Sequence, residues 1–308
     1  MLRGVLVPIP TPLTETGDVD TAALGRLVAH TVDSGVDGLW LLGTIGRFDL
    51  VPDGQQRRLV EAVCDMAAGR THLVVNVSDL GTARTIQRAQ LFKDLPIDAY
   101  AALPPWFRPY LPGEVLDYFR QLADALPEPL MLYNATWTCN ALSLEQMQML
   151  AAHERIVGVK DTDQGLSRMQ NWPAADRRAV GFSYLHATHL LATSVRLGSD
   201  GLAGGLTGVV PELAVAIWRA TQAGNHATAD RLQGLFLTLA RAVDLGPDVA
   251  CLEVLFRTRG LCSRMSASPQ HELATETTIL VQHVLEGVLA EMAEAYCGLI
   301  AGSPRSPR

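Results

Sequence analysis

Excess positive charge is the plainest thing missing from this chain. Its 25 lysines and arginines are outnumbered by 32 aspartates and glutamates, for a formal net charge of -7. No basic run breaks that balance, which argues against an electrostatic hold on nucleic acid or an anionic membrane. No apolar stretch is long enough to span a bilayer. The opening Met1-Leu2-Arg3-Gly4 runs into apolar sequence that breaks at Pro8 and Pro10, unlike a signal peptide. Cysteine is sparse as well: Cys64, Cys139, Cys251, Cys262 and Cys297 are odd in number, widely scattered and without a CxxC pair. That usage suits reduced thiols in a cytoplasm and offers no zinc spacing. His186 and His189 have a spacing that suits one helix face, but with no third ligand nearby they argue for a surface or an interface rather than a metal site. Neither a metal nor an organic cofactor is expected.

What the sequence does hold is an alternation of short apolar runs and longer helical patterns, in a chain that is 48% hydrophobic and 19% charged, as globular proteins usually are. Residues 4–10, 39–42, 73–77, 99–103, 129–133, 156–159, 180–184 and 201–203 read as strands. Helical periodicity fills the gaps. It covers 20–34, where Leu24, Leu27, Val28 and Val32 share a face, then 53–68, 82–92 and 113–126; a helix opened by Ser143 follows, and another begins at Pro211. Strands that are nearly all apolar and alternate with helices indicate a parallel sheet covered by helices. A doubly wound sheet would carry a phosphate-binding glycine loop after its first strand. Here that strand ends in Pro8-Ile9-Pro10-Thr11-Pro12. The expected fold is therefore a (β/α)8 TIM barrel over residues 1–223. Helical patterns at 227–243, 249–259 and 274–296 predict a C-terminal helical extension, 224–301, and residues 302–308 read as a frayed tail.

A barrel of this kind does its chemistry at the C-terminal ends of its strands. The residues to inspect are then Thr44, Asn76, Trp106, Tyr133, Lys160, Ser183 and the glycines after Ala203. Lys160 ends the run Ile156-Val157-Gly158-Val159, so a buried strand would carry it to the rim of a pocket. Burial disfavours an ammonium group and leaves the amine available as a nucleophile toward a carbonyl. Tyr133 could move protons to and from the resulting adduct, and Thr44 could relay them. The backbone N–H groups of Gly43-Thr44-Ile45-Gly46 could cradle a carboxylate. Singly, each residue has a plainer explanation: a lysine reaching water, a core tyrosine tied to backbone, a turn threonine. Their joint placement at strand ends favours chemistry. Asp161 and Asp163 are left as helix-capping residues, and the glycine-rich stretch 201–208 is not read as a phosphate site.

The order of short motifs resembles the dihydrodipicolinate synthase / N-acetylneuraminate lyase family of pyruvate-dependent class I aldolases. The motifs are the Pro8-Ile9-Pro10-Thr11-Pro12 opening, the GTTGE-like Gly43-Thr44-Ile45-Gly46-Arg47, the proline-rich aromatic segment Pro104-Pro105-Trp106-Phe107-Arg108-Pro109, the pair Tyr133-Asn134, the GVKD sequence at Lys160, and Leu197-Gly198-Ser199-Asp200-Gly201. The resemblance covers about residues 4–260 and implies the barrel with a helical extension, in a homo-oligomer that is a tetramer or a dimer. It implies that Lys160 forms a Schiff base with a 2-keto acid, that Tyr133 is the acid and base, and that Thr44 belongs to the proton relay. Small-molecule 2-keto acid and aldehyde partners follow.

Departures from the pattern bear on substrate. The family's second loop threonine, whose hydroxyl and N–H hold the keto-acid carboxylate, is Ile45, which keeps only the N–H. The family's glutamate is Arg47. An aromatic that often supplies a tyrosine to a neighbouring subunit is Phe107, with Tyr110 three residues on. After Tyr133-Asn134 the synthase subgroup has an arginine, whereas this chain reads Ala135-Thr136-Trp137-Thr138, which separates it from dihydrodipicolinate synthase itself. Gly43, Ile45, Gly46, Arg47, Trp106, Phe107, Trp137 and Ala203 are taken as substrate-binding. A site with these aromatics suits a bulky, partly apolar aldehyde better than a polyhydroxylated sugar, unless the aromatics fill a subunit interface instead. The leading expectation is an aldolase or lyase. The same imine would serve a keto-deoxy acid dehydratase or hydratase, and a barrel that has lost catalysis and binds a metabolite is the alternative from another class.

Overall fold

The computed structural model describes residues 1–163, 165–262, 264–265 and 269–301, with the backbone alone for 295–301. The tail expected at 302–308 lies outside the described residues. Eight parallel strands pair in chain order and close on themselves: β1 Gly4–Pro8, β2 Gly38–Leu41, β3 His72–Asn76, β4 Ala99–Ala102, β5 Leu130–Asn134, β6 Ile156–Asp161, β7 Ser183–His186 and β8 Gly201–Leu202. Helices α1 Thr21–Asp33, α2 Asp53–Ala67, α3 Thr82–Ala89, α4 Pro112–Ala125, α5 Leu144–Ala151, α6 Ser167–Gln170, α7 Ala174–Ala179, α8 Leu191–Arg196 and α9 Pro211–Gln222 lie between and after them. The expected barrel is the fold. Its strands are almost wholly buried because the lumen side chains cover one face and the helices the other. Helix starts follow local chemistry. Asp20 caps α1 by accepting from the Ala23 N–H, Ser143 and Gln146 form a reciprocal capping box on α5, and prolines open α4 and α9.

Three helices extend the chain beyond the barrel: α10 His226–Val243, α11 Asp248–Thr258 and α12 Thr275–Ala301. Leu232, Phe236 and Leu239 of α10, Leu252, Leu255 and Phe256 of α11, and Leu285 and Val288 of α12 are buried in the same continuous core as the barrel. Among the described residues no helix is long and apolar enough to cross a membrane.

The seventh strand is where expectation and structure part. The apolar pattern predicts it at 180–184, but it begins at Ser183, because α6 and α7 occupy the chain ahead of it and Gly181 turns with a φ of +73°. Ser183 therefore starts a strand far from the catalytic rim, and the residue at that rim is His186. His186 and His189 share no helix: the first lies in β7, and the second in the turn before α8. The sixth strand continues two residues past its apolar run, because Lys160 and Asp161 find partners on both sides. Lys160 pairs with Tyr133 and Leu185, and Asp161 with Asn134 and His186.

Candidate active site

Lys160 and Tyr133 meet through a slip in register. Leu130 of β5 faces Ile156 of β6, but Met131 faces Gly158, so Val157 is passed over and Tyr133 comes opposite Lys160. Without that bulge the partner of Tyr133 would be Val159. Gly158 permits it by close approach: a Cβ there would lie 2.5 Å from the Ser183 carbonyl oxygen and 2.9 Å from the Met131 sulfur. The result is a lysine only 4% exposed, its Nζ 4.4 Å from the centroid of the Tyr133 ring and 4.9 Å from that of Trp40. The amine lies over both rings, and the two stand edge to face at 5.5 Å.

The hydroxyl of Tyr133 is 2.7 Å from Thr44 Oγ1, which links the floor of the site to the loop after β2. That loop is held tightly. Asn76, at the end of β3, donates to the Leu42 carbonyl at 2.8 Å, and Thr11 donates to the Gly46 carbonyl at 2.6 Å. Leu42 and Arg47, at its two ends, adopt left-handed backbone angles of +55° and +50°. Gly46 folds over the Leu42–Gly43 backbone so closely that a Cβ would lie 3.0 Å from it. Non-glycine residues held this way cluster at functional sites, where the surrounding structure over-determines them. No hydrogen bond occupies the N–H of Thr44 or Ile45 among the described residues, which leaves both free for an anion.

Above this floor opens a cleft of about 620 Å³ lined by Thr44, Arg47, Phe48, Asp49, Trp106, Trp137, Pro247, Asp248, Val249 and Gln270. Trp106 stands edge to face with Phe48 at 5.7 Å. Its loop is tied down by Asn140, whose amide donates to the Arg108 carbonyl at 2.7 Å and accepts from the Tyr110 N–H at 2.8 Å. Arg47 is fixed rather than free. It donates to Gln270 Oε1 at 2.6 Å and makes two contacts of 3.2 Å with the Asp49 carboxylate.

The structure thus brings Lys160, Tyr133, Thr44 and Gly43 together and sets Arg47, Trp106 and Trp137 on the cleft wall. It does not bring in all the expected residues. Ile45 points at the glycine-rich turn after β8, with its Cδ1 only 1.7 Å from where a Cβ of Gly205 would be. Ala203 is fully buried behind that turn, and Phe107 is 73% exposed and outside the cleft. Sequence reasoning missed Trp40, Phe48, Thr11, and the Pro247–Val249 and Gln270 wall. Two of these carried a signal: Trp40, a bulky aromatic inside a strand that ends at the site, and Thr11, within the Pro8-Ile9-Pro10-Thr11-Pro12 opening.

Behind the lysine lies a second polar layer. Asp161 is fully buried and accepts from Asn134 Nδ2 at 2.9 Å, the Asp163 N–H at 3.1 Å, Arg168 at 3.3 Å and the Tyr184 phenol. Burial, with Asp161 adding to it, pushes the Tyr184 phenol far above its ordinary pKa, so it remains a donor. Burial pushes the Cys64 thiol to about 11 and the Cys262 thiol to about 12, so neither is a ready nucleophile. A cavity of about 640 Å³ opens at the opposite end of the barrel, but Asp37, Arg70, His72 and Asp98 in its wall already have partners. His72 contacts Asp98 at 2.9 Å, Arg70 meets Asp33 at 3.0 Å, and Asp37 accepts the Val5 N–H at 2.8 Å. Barrel enzymes work at the other rim.

A sequence model of the Dihydrodipicolinate synthetase family matches residues 1–287. An Escherichia coli K12 protein named a probable 2-dehydro-3-deoxy-D-pentonate aldolase is 29% identical over 295 residues, covering 93% of this chain and 98% of that protein. The N-acetylneuraminate lyase of Rhizobium meliloti is 26% identical over 234 residues, covering 76% of this chain and 78% of the lyase. A prophage protein of the dihydrodipicolinic acid synthase family from Escherichia coli K12, solved in complex with pyruvate, superposes with a TM-score of 0.88 at 22% identity over 94% of this chain and 99% of that one. At that identity the likeness is one of fold.

Proposed function

The chain belongs to the dihydrodipicolinate synthetase family, a family of pyruvate-dependent class I aldolases and lyases, and is an enzyme of that kind; from there we propose that Lys160 forms an imine with the carbonyl of pyruvate or a related 2-keto acid. The amine adds to C2 and water leaves. The iminium then draws electrons from C3, which loses a proton to give an enamine. The enamine carbon adds to an aldehyde, whose oxygen takes up a proton, and hydrolysis of the imine restores Lys160. Cleavage runs the same steps backwards. Tyr133, paired with Thr44 at 2.7 Å, carries the protons. The keto-acid carboxylate rests on the N–H groups of Thr44 and Ile45.

The observation that carries this reading is the buried Lys160 amine against the Tyr133 ring, with the Tyr133 hydroxyl joined to Thr44, which lines the cleft. The same intact trio weighs against a barrel that has lost catalysis. The test uses the fact that Lys93 and Lys160 are the only lysines. After incubation with pyruvate and borohydride, intact mass and peptide mapping should find one reduced pyruvate adduct, on Lys160, and none in Lys160→Ala. An adduct on Lys93, or none with any 2-keto acid tried, would defeat it.

Phe48, Trp106, Trp137 and Val249 give the cleft apolar walls, and the substrate we favour is a bulky aldehyde with few hydroxyls, because a site specific for hydroxyls pairs each of them. The Escherichia coli relative's name points instead to a deoxy sugar acid. Product analysis with an aryl aldehyde and with a polyhydroxylated one decides between them. We also assign the exposed Phe107, Tyr110 and Leu111 to contact with a second copy of the chain. Light scattering would then show an oligomer that Phe107→Glu weakens. A cytoplasmic location is supported by Cys64, Cys139, Cys251 and Cys262 being free thiols.

A further inference from the structure

Trp40 is fully buried, and its indole N–H has no hydrogen-bond partner among the described residues. A buried tryptophan N–H is usually paired, and one left unpaired in an apolar interior is costly, so its persistence calls for a partner that arrives with function. Its position says which one. Lys160 Nζ lies 4.9 Å from the ring centroid. The Nε1–Cδ1 edge is turned toward Gly43 in the β2 loop: a Cβ there would lie 3.2 Å from Cδ1 and 3.4 Å from Nε1. The next two residues of that loop, Thr44 and Ile45, present N–H groups that no acceptor occupies among the described residues. Three unpaired donors therefore belong to one small region beside the nucleophilic lysine.

We propose that the indole N–H of Trp40 donates to the carboxylate of the bound 2-keto acid, in place of the hydroxyl that Ile45 cannot supply. The chemistry fits. In a keto-acid imine the carboxylate carbon is bonded directly to the imine carbon, so the anion is held two bonds from Lys160 Nζ, within the region the three donors share. A carboxylate has four lone-pair sites and is the acceptor that can take several N–H groups at once. The side chain of Ile45 is aimed at Gly205, so it closes the wall and leaves the acceptor to Trp40. Trp40 is then a substrate-binding residue that selects a 2-keto acid over a simple ketone or aldehyde as the imine-forming partner.

The inference rests on the imine reading, and its test separates the two. Full-length enzyme labelled with 15N at its five tryptophans is titrated with pyruvate, the Trp40 indole resonance being identified by its loss in Trp40→Phe. That resonance should move downfield as pyruvate binds and stay there in the borohydride-reduced adduct. Trp40→Phe keeps a ring beneath Lys160 and removes the N–H. Its half-saturating pyruvate in borohydride trapping should rise roughly tenfold or more, as losing a hydrogen bond to a charged group implies, while the fraction trapped at saturation changes far less. An indole resonance unmoved by pyruvate, or half-saturation within about twofold of the parent enzyme, overturns the proposal and leaves the imine reading standing. No adduct in the parent enzyme overturns that reading itself. Should Trp40→Phe fold poorly, the Trp40 resonance is identified as the indole signal that Trp106→Phe, Trp137→Phe, Trp172→Phe and Trp218→Phe all retain, and the titration of the parent enzyme then decides.

Discussion

One hydroxyl contact at the floor of the barrel joins residues 89 positions apart, Thr44 and Tyr133. Tyr133 is almost wholly buried, so its phenol depends on Thr44 for a partner. Tyr133→Phe keeps the ring on which Lys160 rests and removes only the proton carrier. Turnover should fall by about 10²–10⁴ with little change in keto-acid binding, measured as kcat and KM for the aldol reaction. Thr44→Val should also slow turnover and destabilise the fold by about 1–3 kcal/mol, because it strands a buried phenol, whereas Thr44→Ser should do neither. These residues were legible in the sequence because each follows an apolar run that a barrel carries to one rim. Trp40 was not: nothing in Gly38-Leu39-Trp40-Leu41 shows that a buried indole N–H would go unpaired. The sequence shows that Ile45 lacks a hydroxyl but not where its side chain goes, because direction within a loop is set by what packs on it, here Gly205.

The unit that positions the chemistry at the next scale is the end of β6. Its apolar run was visible, but its bulge at Val157 and its extension to Asp161 were not, since both are fixed by pairing with β5 and β7. Asp161 ties Asn134, the residue after Tyr133, to the strand that carries Lys160. Asp161→Asn removes the charge that Arg168 and the Tyr184 phenol rely on, and should cost roughly 2–4 kcal/mol in urea unfolding. It should also slow borohydride trapping of pyruvate as Lys160 and Tyr133 loosen. A neighbouring group gives the element a pH response. His186 donates from Nε2 to the Asp163 carbonyl at 2.6 Å and receives Ser194 at Nδ1, 3.2 Å away. Burial lowers its pKa, outweighing the opposite pull of Asp161 and Asp163, and burial lowers that of His189 too. Below about pH 6.5 the unfolded chain binds protons that the folded chain refuses, so stability falls as pH drops toward the lowered folded values and is flat above that window for these groups. The slope should reach about 1.4 kcal/mol per pH unit for each histidine. Denaturation midpoints taken from pH 8 to 5 should show it, and His186→Gln should reduce the slope by about half if the two histidines contribute alike.

At the scale of the whole molecule, the strand–helix rhythm made the barrel readable, while the far wall of the cleft was not. That wall comes from Pro247, Asp248, Val249 and Gln270, residues of the C-terminal extension that form no motif and are brought in only by packing. The extension is also bound into the barrel's core. Phe256 of α11 reaches Gly208, where a Cβ would lie 3.0 Å from its Cζ, and Leu252 approaches Gly205. Gln233 of α10 accepts from the Ala192 N–H at 2.9 Å and donates to the His189 carbonyl at 2.8 Å, clamping the entrance to α8. We propose that the division expected at residue 223 is not a boundary of folding. Each buried Leu or Phe of α10 and α11 contributes about 1.5–3 kcal/mol. Losing Leu232, Phe236, Leu239, Leu252, Leu255 and Phe256 together removes roughly 9–18 kcal/mol, as much as the whole net stability of a typical domain. A chain ending at Gly224 should therefore show no cooperative thermal transition, bind a hydrophobic dye and form no pyruvate adduct. A soluble 1–224 fragment that melts cooperatively would mean that the barrel carries its own stability and that the extension serves only the cleft.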